Sequence, residues 1–209
     1  AAQVIVTAPE IIDTPPDPLP ANVSYVGPVF EDARDVEWTP PAGTGPLVVV
    51  SLGTTDMDEL PVLTRVLGAL AHEEARVLAT VGDHADPWEI ATPGNATVSR
   101  FVQHAAVLPH ADLMISHGGL GTCLAALAHG LPVLCIPLGR DQPINAAALV
   151  RTGAAQALGA GATPKQIAVA VRELLRDTTY REAAQRMAKA LPTPGDRHPA
   201  TTLIAGLLG

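Results

Sequence analysis

The 209-residue chain is poor in basic, aromatic and cysteine residues. Thirteen Lys and Arg stand against 21 Asp and Glu, which gives a formal net charge of −8, and no run of basic residues occurs. Proteins that bind a nucleic acid backbone need a basic face, so nucleic acid is not an expected partner. Because 47 % of the residues are apolar and only 16 % are charged, the composition also excludes a disordered chain.

Two cysteines, Cys123 and Cys135, are too few to hold a small secreted scaffold together, and both lie in apolar stretches. We therefore expect reduced core thiols in a cytoplasmic protein. No apolar run has the length of a membrane span, since Pro132 and Pro137 interrupt the most apolar region. The N-terminus has no basic region followed by an apolar core, so we expect neither a membrane span nor a signal peptide.

Proline is concentrated at the start of the chain, where nine of the 20 prolines fall within the first 46 residues. Proline fixes φ and lacks an N–H group, so this stretch cannot be helix or central strand throughout. Short extended pieces are predicted at Gln3–Thr7 and Val23–Val26, and the rest is typical of a linker. We expect the globular body to begin at Pro46.

From Pro46 onward, apolar runs typical of buried strands alternate with segments of helical periodicity. The predicted strands are Leu47–Leu52, Arg76–Val81, Thr97–Val102, Leu113–Ser116, Val133–Pro137 and Ala155–Leu158. The predicted helices are Asp56–His72, Ala105–Pro109, Gly121–His129, Gln142–Arg151, Pro164–Leu175, Tyr180–Leu191 and Ala200–Leu208. This alternation predicts an α/β fold: a Rossmann-like parallel sheet with helices on both faces and a C-terminal helical segment.

Ligands of open parallel sheets bind at the carboxyl ends of the strands. The segments that follow predicted strands are therefore the places to expect a site: Gly53–Asp56, Phe101–His104, His117–Thr122 and Leu138–Gln142.

The glycine-rich segment His117–Thr122 joins a predicted strand to a predicted helix. Glycines allow a ligand to approach the backbone closely, and a helix start offers unpaired N–H groups, so the segment suits an anion. The alternative is a turn that only allows strand and helix to pack. The segment matches neither Gly-x-Gly-x-x-Gly nor Gly-Lys-Ser/Thr, which disfavours a nicotinamide dehydrogenase and a P-loop NTPase.

The wider sequence resembles the donor-binding half of GT-B glycosyltransferases of the UDP-glycosyltransferase superfamily, and most closely the bacterial branch that modifies natural products. The resemblance covers about residues 46–160 with the family's order and spacing. It is carried by Ser51-Leu52-Gly53-Thr54, Val107-Leu108-Pro109-His110-Ala111-Asp112, His117-Gly118-Gly119-Leu120-Gly121-Thr122, Ala128-His129-Gly130-Leu131-Pro132, Asp141-Gln142 and Asn145. Tyr25-Val26-Gly27-Pro28 and Trp38 also resemble the connection between the domains in that branch.

The resemblance implies three groups of donor-site residues. Those expected around the donor diphosphate are Gly53, Thr54, His117, Gly118, Gly119, Gly121 and Thr122. Those expected around the nucleobase and ribose are Phe101, Val102 and His104, and those expected to bond to the sugar are Asp141 and Gln142.

Two positions depart from the family's pattern. A glutamate that binds the ribose hydroxyls in members using UDP-sugars is replaced by Ala125, and the usual Pro-Gln after the base-stacking strand is Gln103-His104. Loss of a carboxylate that grips the 2′-hydroxyl fits a donor built on 2′-deoxyribose. We therefore favour a dTDP-sugar over a UDP-sugar.

The resemblance implies inverting transfer of the sugar to a hydroxyl of a small hydrophobic acceptor, without a cofactor or metal. Residues 1–45 would be the end of an acceptor domain and a linker, 46–190 the donor domain, and 191–209 a C-terminal crossover helix. The general base is expected in the missing N-terminal acceptor domain, because nothing in this chain matches it. Alternatives are a nucleotide-diphosphate-binding module without transferase chemistry and an epimerase acting on the donor sugar.

Asp56-Met57-Asp58 could also hold a metal, as paired carboxylates do in GT-A transferases. We interpret Asp56 instead as the N-cap of the following helix, with Asp58 and Glu59 in its first turn.

Overall fold

The computed structural model describes residues 2–30, 38–53, 57–83, 85–194 and 196–208. Its strands are β1 (Val4–Val6), β2 (Val23–Tyr25), β3 (Leu47–Ser51), β4 (Arg76–Thr80), β5 (Ala96–Ser99), β6 (Leu113–Ser116), β7 (Val133–Cys135) and β8 (Ala155–Ala157). The first two form a small parallel sheet, and the other six form one parallel sheet in the order β5-β4-β3-β6-β7-β8. The predicted α/β fold with a parallel sheet is confirmed.

Helices cover both faces of the six-stranded sheet. They are α1 (Leu60–Leu70), α2 (His104–Val107), α3 (Leu120–Ala128), α4 (Gln142–Arg151), α5 (Pro164–Arg176), α6 (Thr178–Ala190) and α7 (Pro199–Leu208), with 3₁₀ turns at Pro87–Glu89 and Leu108–His110. Successive side chains of a strand point to opposite faces. Accordingly Val48 and Val50 pack in the cluster that holds α1 and α5, whereas Val49 packs in the cluster that holds α3 and α6.

The start of α1 differs from the prediction. The helix begins at Leu60 with Glu59 as its N-cap, and Asp58 lies before it in a left-handed conformation with φ +58°. The prediction that Asp58 and Glu59 lie in the first turn is therefore wrong, and Asp56 lies outside the described residues. Glu59 is buried: one carboxylate oxygen accepts the Met57 N–H at 2.9 Å, and Oε1 has no hydrogen-bond partner among the described residues.

The N-terminal and C-terminal segments pack against the same side of the sheet and against each other. Ile12 belongs to the core cluster of α3 and α6, and Phe30 and Trp38 pack on it. The Trp38 ring lies 5.5 Å from the His110 ring, and His198 Nε2 lies 3.0 Å from the Pro28 carbonyl oxygen. Within the part of the chain that the structure describes, every helix is too short or too polar to span a bilayer.

The strand order places a topological switch point in the middle of the sheet. From β3 the chain moves outward through β4 and β5, then returns to pair β6 with the other side of β3. At such a point the connections after the two central strands diverge, which leaves a crevice at their carboxyl ends. The segments that follow β3 and β6, which begin at Leu52 and His117, open into this crevice.

Candidate functional site

A cavity of about 490 Å³ lies at the switch point and gathers residues from all four predicted strand ends. The predicted site residues that line it are Gly53, Phe101, Val102, His104, His117, Gly119, Gly121, Thr122, Asp141 and Gln142. Gly118 lies behind its neighbours in the same loop, and Thr54 lies outside the described residues. The topology therefore brings together segments that are up to 89 residues apart in sequence, from Gly53 to Gln142.

His117 is fixed between two glycines at the mouth of the crevice. A Cβ at Gly119 would lie 2.4 Å from His117 Nε2, and one at Gly53, where φ is +108°, would lie 3.3 Å from the same ring. The Ser51 carbonyl accepts a hydrogen bond from the imidazole. Burial lowers the pKa of His117, although that hydrogen bond and the charges of Asp141 and Glu59 act in the opposite direction. The ring is therefore neutral at physiological pH, and its one N–H is taken by the Ser51 carbonyl.

The glycine loop ends at the start of α3, where Gly119 is the N-cap. Gly119 has no side chain that could cap the helix, so the first N–H groups of α3 need another partner. Gly118 adopts φ +86°, and a Cβ there would lie 3.0 Å from the Gln142 backbone oxygen. The glycines thus bring the β6–α3 turn against α4 and leave the N-terminus of α3 facing the cavity, an arrangement that favours a bound anion.

Asp141 and Gln142, at the start of α4, have different surroundings. Asp141 is exposed, and its carboxylate accepts a hydrogen bond from Asn145 Nδ2 at 2.9 Å, which lowers the pKa of Asp141. The same amide group also donates to the Gly118 carbonyl at 3.2 Å. Asn145 thus ties the carboxylate that is expected to bind the sugar to the glycine loop.

Gln142 is only 4 % exposed, and its oxygen accepts the Leu138 and Gly139 N–H groups at 2.8 and 3.1 Å. Its amide nitrogen donates to Met57 Sδ at 3.2 Å. In this arrangement the side chain holds the β7–α4 loop, and only its remaining N–H can serve a ligand.

Phe101, Val102 and His104 form another wall of the cavity. Phe101 is one of two phenylalanines in the chain, and it is 63 % exposed, which is unusual for a phenyl ring. Val102 and His104 are half-buried. An exposed ring at a cavity wall can stack on a flat ligand. Leu108 and Ala105 extend this wall with apolar surface.

Ala125, His129 and Arg140 are among the residues that line the cavity without having been predicted to bind. Arg140 adopts a left-handed conformation with φ +56° next to Asp141. His129 ends the predicted helix Gly121–His129 and is the C-cap of α3. Gly130 has φ +70°, and the Gly130 and Leu131 N–H groups return to Leu127 and Ala126 carbonyls in a Schellman arrangement.

Cys123 and Cys135 are free and fully buried behind the glycine loop. The hydrogen bond with the Cys123 thiol and burial raise the pKa of Cys135. A buried thiol without access to the cavity is an inert core residue. The expectation of free core thiols is therefore confirmed.

Comparison with known proteins agrees with this geometry. Residues 64–204 match the family described as "Erythromycin biosynthesis protein CIII-like, C-terminal domain". The chain is 34 % identical to 4′-demethylrebeccamycin synthase of Lentzea aerocolonigenes over 198 residues, which is 91 % of this chain and 46 % of that protein. Demethyllactenocin mycarosyltransferase of Streptomyces fradiae is 27 % identical, with 91 % of this chain and 44 % of that protein covered.

Solved structures show the same architecture. The glycotransferase of kitacinnamycin superposes with a TM-score of 0.86 at 28 % identity, covering 98 % of this chain and 54 % of that one. The glycosyltransferase VinC, solved in complex with dTDP, superposes with a TM-score of 0.74 at 27 % identity, covering 99 % and 51 %. The chain spans about half the length of the relatives that it matches. It belongs to the family of C-terminal domains resembling that of erythromycin biosynthesis protein CIII, the GT-B half found in bacterial natural-product glycosyltransferases.

Proposed function

We propose that this chain is the donor-binding domain of an inverting glycosyltransferase that moves a sugar from a dTDP-sugar to a hydroxyl of a small natural-product acceptor. The observation that carries the proposal is the placement of His117. Its neutral imidazole lies between Gly53 and Gly119, beside the uncapped N-terminus of α3. Backbone N–H groups on one side of a cavity suit a diphosphate, and the charge of a bound diphosphate raises the pKa of His117, so that the ring gains a second N–H to donate.

In this proposal the site acts on the leaving group. As the bond from the sugar to the diphosphate breaks, negative charge grows on the diphosphate oxygens. His117, which takes up a second proton when the diphosphate binds, and the first N–H groups of α3 donate hydrogen bonds to that charge from fixed positions, so little reorganisation is needed. Asp141, held by Asn145, accepts hydrogen bonds from sugar hydroxyls and orients the anomeric carbon.

The proposed role of His117 predicts that His117→Ala weakens binding of dTDP at least tenfold, since a charge-assisted hydrogen bond is worth about 1.5–3 kcal/mol. Calorimetric titration of both proteins with dTDP measures this. His72→Ala is the control, because it removes an exposed imidazole outside the cavity and should bind dTDP as the parent does. Ala148→Gly is not a suitable control, because glycine weakens helix α4. Equal affinity of His117→Ala and the parent for dTDP would contradict the proposal.

The preference for dTDP over UDP rests on the ribose side of the cavity. Ala125 contributes a methyl group where a carboxylate could bind a 2′-hydroxyl, and Val102, Ala105 and Leu108 present apolar surface to a base. The thymine methyl gains from apolar contact, whereas the uridine 2′-hydroxyl finds no acceptor at residue 125. Titration with dTDP and UDP tests the preference, and tighter binding of UDP would overturn it.

A module that only binds nucleotide diphosphates would not discriminate the sugar. If Asp141 binds sugar hydroxyls, a dTDP-hexose should bind more tightly than dTDP, and Asp141→Asn should reduce that advantage. Equal affinity for the two ligands would favour the binding module. We also propose that the protein requires no metal or cofactor and is cytoplasmic. If no metal is required, addition of a chelator should leave the affinity for dTDP unchanged.

A further inference from the structure

His129 is a cavity residue to which the proposed chemistry gives no role. It is the C-cap of α3, it is half-buried, and its ring lines the cavity together with Ala125 and Thr122. Residues 122, 125 and 129 are spaced three and four apart, so they share one face of the helix. The helix face that begins at the proposed diphosphate site therefore continues to an imidazole.

The hydrogen bond of His129 defines which of its nitrogens can serve a ligand. Nδ1 lies 2.8 Å from the Ala125 carbonyl oxygen. A carbonyl oxygen only accepts, so the proton of the neutral ring must be on Nδ1. Nε2, the other polar atom of the ring, then carries a lone pair and is an acceptor.

The same bond determines where the ring lies. It draws the imidazole back over the preceding turn, to the level of Ala125, whose methyl group leaves the space open. The backbone is also fixed there, because the His129 N–H bonds to the Ala126 and Leu127 carbonyls and Gly130 closes the helix with φ +70°. The ring therefore occupies the position that a longer side chain at residue 125 would reach.

The proposed donor presents one suitable group at this level. With the diphosphate at the N-terminus of α3 and the base against Phe101, the ribose that joins them must pass between these two places. Ala125 lies about 4.5 Å along the helix axis from Thr122, on the helix that leads away from the proposed diphosphate site. Diphosphate oxygens have no proton to donate, whereas a ribose hydroxyl does.

We propose that His129 is a specificity-determining residue whose Nε2 accepts a hydrogen bond from the ribose 3′-hydroxyl of the donor. The inference rests on the proposed function, because it needs the nucleotide to lie along α3. The 3′-hydroxyl is common to dTDP and UDP, so this contact is separate from the 2′-hydroxyl contact that Ala125 cannot make.

The test compares dTDP with 3′-deoxythymidine diphosphate, which lacks the hydroxyl. Both nucleotides are titrated into the full chain under the same slightly alkaline conditions. The parent should bind dTDP about three- to tenfold more tightly than the deoxy analogue, the range of one neutral hydrogen bond. His129→Ala should bind the two about equally, and His72→Ala should keep the parent's ratio. Because each ratio is taken within one protein, partial unfolding of a variant cancels.

A measurement on the unaltered chain does not depend on any variant. The ¹⁵N resonance of the unprotonated Nε2 of His129 should move when dTDP is added and much less with the deoxy analogue. The inference would be overturned if the parent bound dTDP and the deoxy analogue equally tightly. It would also be overturned if the preference for dTDP survived in His129→Ala, or if only His104→Ala removed that preference. If dTDP binds and the ratio is one, only the inference fails; if neither nucleotide binds, the proposed function fails with it.

Discussion

The environment of His117 ties the chemistry of a single side chain to the stability of the chain. Burial lowers the pKa of His117 in the folded protein, while in the unfolded chain the imidazole has its ordinary pKa of about 6.5. Between these two values the unfolded chain binds the proton and the folded chain does not. The free energy of unfolding therefore falls as the pH drops through this window and is fully restored above it.

We expect His117→Gln to lose this part of the pH dependence, because glutamine does not titrate. Urea denaturation of both proteins at several pH values from about 5 to about 8 measures the difference. The parent should lose stability relative to the variant as the pH falls below about 6.5. Curves that remain parallel over this range would contradict the assignment of a lowered pKa to His117.

The glycines of the loop offer a second prediction at residue scale. In Gly119→Ala the added methyl would lie 2.4 Å from His117 Nε2, so the ring must leave its position. We expect a loss of about 1–3 kcal/mol in the free energy of unfolding and at least tenfold weaker dTDP binding. Chemical denaturation and calorimetric titration measure the two effects.

Gly121→Ala is the matched control for the stability measurement. A Cβ at Gly121 has no neighbour within 4 Å, and the residue lies in the first turn of α3. Replacing glycine by alanine there should stabilise the chain by about 0.5–1 kcal/mol, because the unfolded state loses conformational freedom. If both substitutions destabilise the chain equally, close packing of His117 on Gly119 is not the cause.

At the scale of helices and strands, the sequence predicts every strand of the six-stranded sheet to within about three residues. Continuous apolar runs such as Leu47–Ser51 can only be buried strands between two helical layers. The start of α1 was predicted wrongly, because acidic residues are typical of a first turn. Here Glu59 instead turns into the core and Asp58 takes a left-handed conformation. Neither follows from local preferences.

The candidate site, like the helices and strands, could be predicted from the sequence only in part. The glycine loop and the strand-end segments could be predicted, since they depend on residue type and topology alone. The cavity position of His129 could not, because it depends on the side chain turning back to the Ala125 carbonyl. The orientation of Gln142 toward the Leu138 and Gly139 N–H groups likewise depends on the tertiary structure.

Helix α5 supplies a prediction at this scale. Thr163 and Gln166 form a capping box: the Thr163 hydroxyl accepts the Gln166 N–H at 3.3 Å, and Gln166 Oε1 accepts the Thr163 N–H at 2.9 Å. Thr163→Ala removes one of these bonds and should cost about 0.5–2 kcal/mol in the free energy of unfolding. Urea denaturation measures the loss.

Thr64→Ala provides the comparison, since it makes the same change at an exposed position inside α1. Alanine has the higher helix propensity, so this variant should be at least as stable as the parent. A loss as large in Thr64→Ala as in Thr163→Ala would mean that the cap is not responsible.

At the scale of the whole molecule, the cavity exists only because β3 and β6 are neighbours in the sheet. This pairing sets the loop after β3 beside the glycine loop and leaves one wall of the cavity open. The side chains that line it include three histidines, His104, His117 and His129, and the carboxylate of Asp141. Asp141 has a lowered pKa, which makes it a weak general base, and His117 is engaged with the Ser51 carbonyl.

We therefore expect the isolated chain to bind the donor nucleotide without transferring sugar. At a dTDP concentration about 100 times its dissociation constant, binding should add about 2.7 kcal/mol to the free energy of unfolding. For a chain of this size the thermal midpoint should rise by about 5–10 °C, and the rise should be much smaller for His117→Ala. Differential scanning calorimetry with and without dTDP measures this shift.

The same preparation, incubated with a dTDP-sugar and a panel of hydroxyl-bearing acceptors, should release no dTDP above the acceptor-free background when analysed by chromatography. The expectation follows from the proposed function, in which the cavity stabilises charge on a leaving diphosphate, and from the lowered pKa of Asp141, which makes this carboxylate a weak base. Acceptor-dependent release at about 1 s⁻¹ or faster, within the range of whole enzymes, would show that this chain carries a general base of its own. In that case His104 and His129, the two remaining cavity imidazoles, would be the residues to substitute first.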